Sequence, residues 1–148
     1  MKRSELREII FKLLFMAQFH SQAEMTEQLK LYFKFLAQGR EHTLYAKGPT
    51  ATDEIYIKEK YTKIVQKLLE IDSILNETAI GWKTRRMSKV DLTILRLAVY
   101  EIRYDEDVPV SVAINEAIEI AKRFSGKAAA SFLNGILGKI AKEAEGIE

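Results

Sequence analysis

The chain contains no cysteine. Disulfides, thiolate metal sites and cysteine nucleophiles are excluded, and a reducing cytoplasmic setting suits the composition. Histidine is nearly as scarce: His20 and His42 are the only two, and their spacing makes no metal site. The seven glycines form no phosphate-cradling loop and no Gly-x-Ser-x-Gly elbow, so the sequence carries no catalytic motif and calls for no cofactor. No apolar run approaches the ~20 residues of a membrane span. Near the start, Glu5, Arg7, Glu8 and Lys12 interrupt any apolar stretch, so a secretory leader is not expected. An excess of one charge is also missing. Lys and Arg number 23 against 21 Asp and Glu, a net +2, so any affinity for nucleic acid must come from local patches.

What is present is helix. The 148 residues, 47% hydrophobic and 30% charged, suffice for one ordinary domain with a core that needs no staples. Alternating β-branched runs are scarce, and Pro49 and Pro109 both fall between segments of helical periodicity. Ser88–Tyr104 is apolar nearly all round, which predicts a buried central helix. Ser88 followed by Asp91 resembles a capping box for its first turn. Leu6, Ile9, Ile10, Leu13, Leu14 and Ala17 predict a first helix over about 4–20, with Ser4 as a candidate cap. A second runs over about 24–38, stopped by Gly39. Residues 39–52 read as a loop. A third helical region over about 53–78 runs straight or breaks near Glu70–Ser73, and Ile55 and Leu69 fall on its expected inner side. After Pro109 come helices over about 111–124 and 127–143, parted by Gly126. The expected fold is all-α, six to seven helices in two packed helical subdomains, about 1–80 and 81–148.

Few side chains invite chemistry. Asp105, Glu106 and Asp107 form a solvated acidic turn before a helix. Asn115 and the pair Asn134-Gly135 are unusual inside apolar helices. The expected reason is packing, an interhelical hydrogen bond with a close approach at Gly135, in preference to direct ligand contact. Basic residues gather in three places: Lys2, Arg3 and Arg7; Lys83, Arg85, Arg86 and Lys89; and Lys122, Arg123 and Lys127. Each alone reads as a solvated face. Joined with exposed aromatics, they have the chemistry of a single-stranded RNA site, where cations hold phosphates and rings stack on bases.

Several stretches occur in a telling order: Gly81-Trp82 and Arg86, then Val90-Asp91, Ile94–Glu101, Asp107-Val108-Pro109, Val112–Lys122 and Phe132–Leu137. This run resembles the NusB family of transcription antitermination factors over about residues 81–140. Arg7-Glu8, Leu14-Phe15 and Gln18 fit that family's first helix more loosely. The resemblance implies a cytoplasmic adaptor rather than an enzyme. It would bind boxA-type single-stranded RNA together with the small-subunit ribosomal protein NusE, within the transcription elongation complex and its other Nus factors, in support of ribosomal RNA transcription. Carried over by position, the RNA-binding candidates are Lys2, Arg3, Arg7, Lys127, Ser131 and Phe132. Arg86 and Asp91 are the candidates for the protein partner. Glu5 and Glu8 dilute the basic N-terminus, and family members also form homodimers. A protein-only helical scaffold or homodimer with weakened RNA binding is therefore the alternative.

Overall fold

The first turn of a helix leaves orphan N–H groups, and the Ser21, Thr50 and Ser88 hydroxyls each accept one of them. The computed structural model describes residues 1–38, 48–78 and 83–146, and every regular element among them is helical. Helix α1 spans Arg3–Ala17. It begins earlier than Ser4 would set, because Glu5 reaches back to accept the Lys2 N–H at 2.9 Å. Helix α2 spans Gln22–Ala37. There Ser21 and Glu24 cap each other reciprocally, at 3.2 and 2.7 Å, a pairing that the periodicity of the apolar residues did not reveal. Thr50 and Asp53 do the same for α3, Ala51–Gln66, at 3.1 and 2.9 Å.

The third helical region is two helices. The ladder breaks at Lys67, whose N–H turns to the Ile64 carbonyl, and α4 runs over Leu68–Thr78. The break falls ahead of the caps expected at 70–73, and neither glycine nor proline marks it. Arg86 N–H bonds to the Lys83 carbonyl in a 3-10 turn, Thr84–Arg86. Asn76 holds that turn by accepting the Thr84 N–H, while Lys83 donates to the Asn76 carbonyl. Helix α5 is Lys89–Tyr104, α6 is Val110–Phe124 and α7 is Lys127–Ala144. Pro109, not Ser111, takes the cap position of α6. The Gly39 stop, His42 and Gly81-Trp82 lie outside the described residues.

The chain divides into two compact units, Met1–Lys63 and Ile64–Glu148. The division falls near the end of α3, not at the connector near 81, because α4 packs on α5 and α7. In the first unit α1 packs against α2, and Ile9, Ile10, Leu13, Phe33 and Ile57 are buried. In the second, α5 is the post: α4, α6 and α7 all pack on it. Nine of its residues are buried, from Leu92 to Glu101, and Arg96 clamps it to α4 through both oxygens of Asp72, at 2.9 and 2.8 Å. Burying each such leucine or isoleucine contributes about 1.5–3 kcal/mol. Two expected inner residues are on the surface instead. Ile55 is 58% exposed and Leu69 is 88% exposed, since Ile57, Tyr61 and Ile64 on α3, and Ile71 and Leu75 on α4, set the buried stripes.

Candidate functional site

In the first unit the N-terminal cations divide. Lys2 and Arg3 are exposed on the first turn of α1. The Arg3 guanidinium lies 4.7 Å from the centre of the Tyr56 ring, and Lys60 lies 5.8 Å from the same centre. A cation over a ring face is an attractive contact, so Tyr56 orients Arg3 from α3. Tyr56 was not singled out from the sequence. Arg7 is different: it is only 6% exposed, and Glu8 beside it is 3% exposed. Its position one turn after Arg3 suggested a shared open face. The inward turn of α1 places it in the buried set instead. The Met1 ammonium is 3.3 Å from the Asp53 carboxylate, and the Thr50 N–H, foremost, holds that carboxyl below the usual aspartate range.

In the second unit α6 and α7 flank a polar groove of about 400 Å³. From α6 it is lined by Asn115, Ile118, Glu119 and Lys122, and from α7 by Lys127, Ala130, Ser131 and Asn134. Each set has the i, i+3, i+4, i+7 spacing of one helix face. That spacing was the signal that could have joined Asn115 and Asn134 to Lys127 and Ser131 in the sequence. The packing expectation for the asparagines is overturned: both are exposed, and a Cβ at Gly135 would meet nothing within 4 Å. Phe132 is half-buried and does not line the groove. The open ring near the start of α7 is Phe124, 40% exposed, with the Arg123 guanidinium 5.1 Å from its centre.

The turn between α6 and α7 is tightly specified. The N–H groups of Ser125 and Gly126 both donate to the Ala121 carbonyl, at 2.8 and 2.7 Å. Gly126 sits at φ +116°, a region that strains any residue with a Cβ. Ser125 also donates its hydroxyl to the Asp91 carboxylate. Asp91 therefore does not complete a capping box with Ser88. The Ser88 hydroxyl accepts the Asp91 N–H at 3.0 Å, and the Asp91 side chain ties the first turn of α5 to the α6–α7 turn. Arg86 is exposed at the end of the 3-10 turn. Among the described residues no group of three or more histidines and acidic side chains is placed to hold a metal ion, and no helix is long and apolar enough to cross a membrane.

Comparison with known proteins agrees with this architecture. The NusB family model matches residues 4–142. The transcription antitermination protein NusB of Lachnoclostridium phytofermentans is 47% identical, over 95% of this chain and 98% of its own length. The protein of the same description from Agathobacter rectalis is 43% identical, over 95% of this chain and 100% of its own. Among solved structures, NusB of T. maritima superposes with a TM-score of 0.76 at 31% identity, covering 97% of this chain and 92% of that one. With the family model matched over residues 4–142 and relatives 43% and 47% identical over 95% of its length, this chain belongs to the NusB family.

Proposed function

We propose that this chain is an RNA-and-protein adaptor in transcription antitermination. It binds boxA-type single-stranded RNA together with the ribosomal protein NusE, and through that pair joins the elongation complex and its other Nus factors. The observation that carries the reading is the family match over nearly the whole chain, residues 4–142. Local chemistry supports it. The first unit offers Lys2 and Arg3 as exposed cations, and the second offers Lys127 and Ser131 in a groove and the exposed ring of Phe124 at the end of α6. Phosphates take the cations and bases take the rings. Arg7, buried in the first unit, is not among these exposed cations. Phe132 is half-buried on α7, outside the groove lining. Arg86 and Asp91 form the proposed NusE-side candidates, with Asp91 also fixing the turn ahead of Lys127.

The test is a titration of boxA-type RNA, with and without the ribosomal protein, across a range of salt. Neutralising about three or four phosphates of a single strand predicts a slope of log affinity on log salt of roughly −2 to −3. Lys127→Ala and Arg3→Ala should each weaken binding and reduce that slope. A complex with the ribosomal protein that ignores RNA refutes the RNA part and favours a protein-only scaffold.

A further inference from the structure

The two asparagines have no role in the packing or in the phosphate contacts described above. Asn115 and Asn134 come from different helices, are both exposed, and both line the α6–α7 groove. A carboxamide offers a donor and an acceptor side by side, the pattern that reads the edge of a nucleobase. Glu119 adds an acceptor to the same groove, 3.5 Å from Lys122 Nζ. Lys122 and Lys127 outnumber Glu119 in the lining, so the groove can take a phosphate at a lysine and a base at Glu119 and the carboxamides. It is well built for a neutral edge that gives and takes hydrogen bonds. Its floor includes the apolar Ile118 and Ala130, and at about 400 Å³ its size is within the range of small-ligand sites.

We propose that this groove is a base-reading subsite for one unpaired nucleotide. Asn115, Asn134 and Glu119 bind the edge of a base that carries an exocyclic amine next to a ring acceptor, adenine or cytosine. Lys127 holds the phosphate of the same nucleotide. The inference rests on the RNA-binding reading and deepens it, because it makes one part of the interface specific for sequence. Uracil presents a carbonyl where adenine and cytosine present the amine. Against Glu119 that carbonyl meets a second acceptor.

The experiment compares single-stranded oligo(A), oligo(C) and oligo(U) of equal length on the wild-type chain and on Asn115→Ala, Asn134→Ala and the double variant. Alanine favours helix more than asparagine does, and both sites are exposed, so the variants keep the fold. The wild type should prefer oligo(A) and oligo(C) over oligo(U) by roughly tenfold, the discrimination of one good base-edge contact. The double variant should lose that preference while keeping its salt slope. In the wild type, the side-chain amide NMR signals of Asn115 and Asn134 should shift with AMP and CMP more than with UMP. RNA binding with a normal salt slope but no base preference, or a preference that survives the double variant, overturns this inference alone. Failure of all three oligonucleotides to bind overturns the RNA-binding reading itself.

Discussion

Asp72→Ala removes the carboxylate through which α4 holds the central helix. Arg96 donates Nε and Nη2 to the two Asp72 oxygens at 2.9 and 2.8 Å, a parallel fork whose partners are 17% and 26% exposed at the side chain. A fully exposed pair would contribute about 0–1 kcal/mol, while breaking a fully buried one costs about 3–5 kcal/mol. This pair lies between those limits. Two charge-assisted bonds in good geometry place the cost of Asp72→Ala at about 2 kcal/mol. Arg96→Lys should cost about 1–2 kcal/mol, because an ammonium cannot reproduce the fork. Arg96→Ala should cost more than Asp72→Ala, since the arginine stem also loses its packing. Urea unfolding of the two single variants and the double variant gives the coupling energy, expected at about 1–2 kcal/mol. The corresponding fall in Tm for Asp72→Ala is about 4–8 °C for a chain of this size. A coupling energy under about 0.5 kcal/mol would refute the claim that this pair fixes α4 on the post.

Further outcomes follow from the same geometry. Leu95 is fully buried on α5, so Leu95→Ala should destabilise the second unit by about 3–4 kcal/mol in denaturant unfolding. Gly126→Ala should cost about 1–3 kcal/mol through backbone strain alone, because the space around that position is open. Asp91→Ala and Ser125→Ala should each speed amide hydrogen exchange at Gly126, whose N–H donates to the Ala121 carbonyl, and the double variant should add nothing; additive effects would show that the bond between them does not hold the turn. Asp91→Ala also removes a negative charge, so plain electrostatics predicts tighter RNA binding, whereas loss of the turn predicts weaker binding. The carboxyl of Asp53 titrates lower in the folded chain than in the unfolded one, chiefly because of the Thr50 N–H. Its contribution is present above the unfolded value of about 3.9 and is lost as pH falls through the lower folded value. Asp53→Asn should therefore flatten the acid limb of the stability profile below about pH 4, and an unchanged limb would remove Thr50–Asp53 from the account of α3.

The helices were legible because their signal is local. Leu6 to Leu14 and Leu92 to Tyr100 repeat at helical spacing, and an apolar stripe of that period has one economical solution in water, burial against another helix. The Ser88–Tyr104 post was legible in the same way, since no other segment is as fully apolar on every side. Family membership was legible for a related reason: its signature residues lie in order along the chain. The break at Lys67 was not legible, because nothing in Glu70–Ser73 or Lys67 distinguishes a continuing ladder from an interrupted one until the neighbours are in place.

The site needed the tertiary structure. From spacing alone Arg3 and Arg7 share a face of one helix, yet Arg3 lies over Tyr56 and Arg7 is buried. A helix face becomes inner or outer only when a partner covers it, and the sequence of that helix does not name the partner. Asn115 and Asn134 are 19 residues apart, and each alone is simply an oddity in an apolar helix. The packing of α6 on α7 lines one groove with both, beside Lys127 and Ser131. The sequence by itself determined which segments coil and which of them must be buried, because those follow from short-range periodicity and the hydrophobic effect. Which polar side chains meet was decided only in three dimensions, because that depends on how the helices of each unit pack.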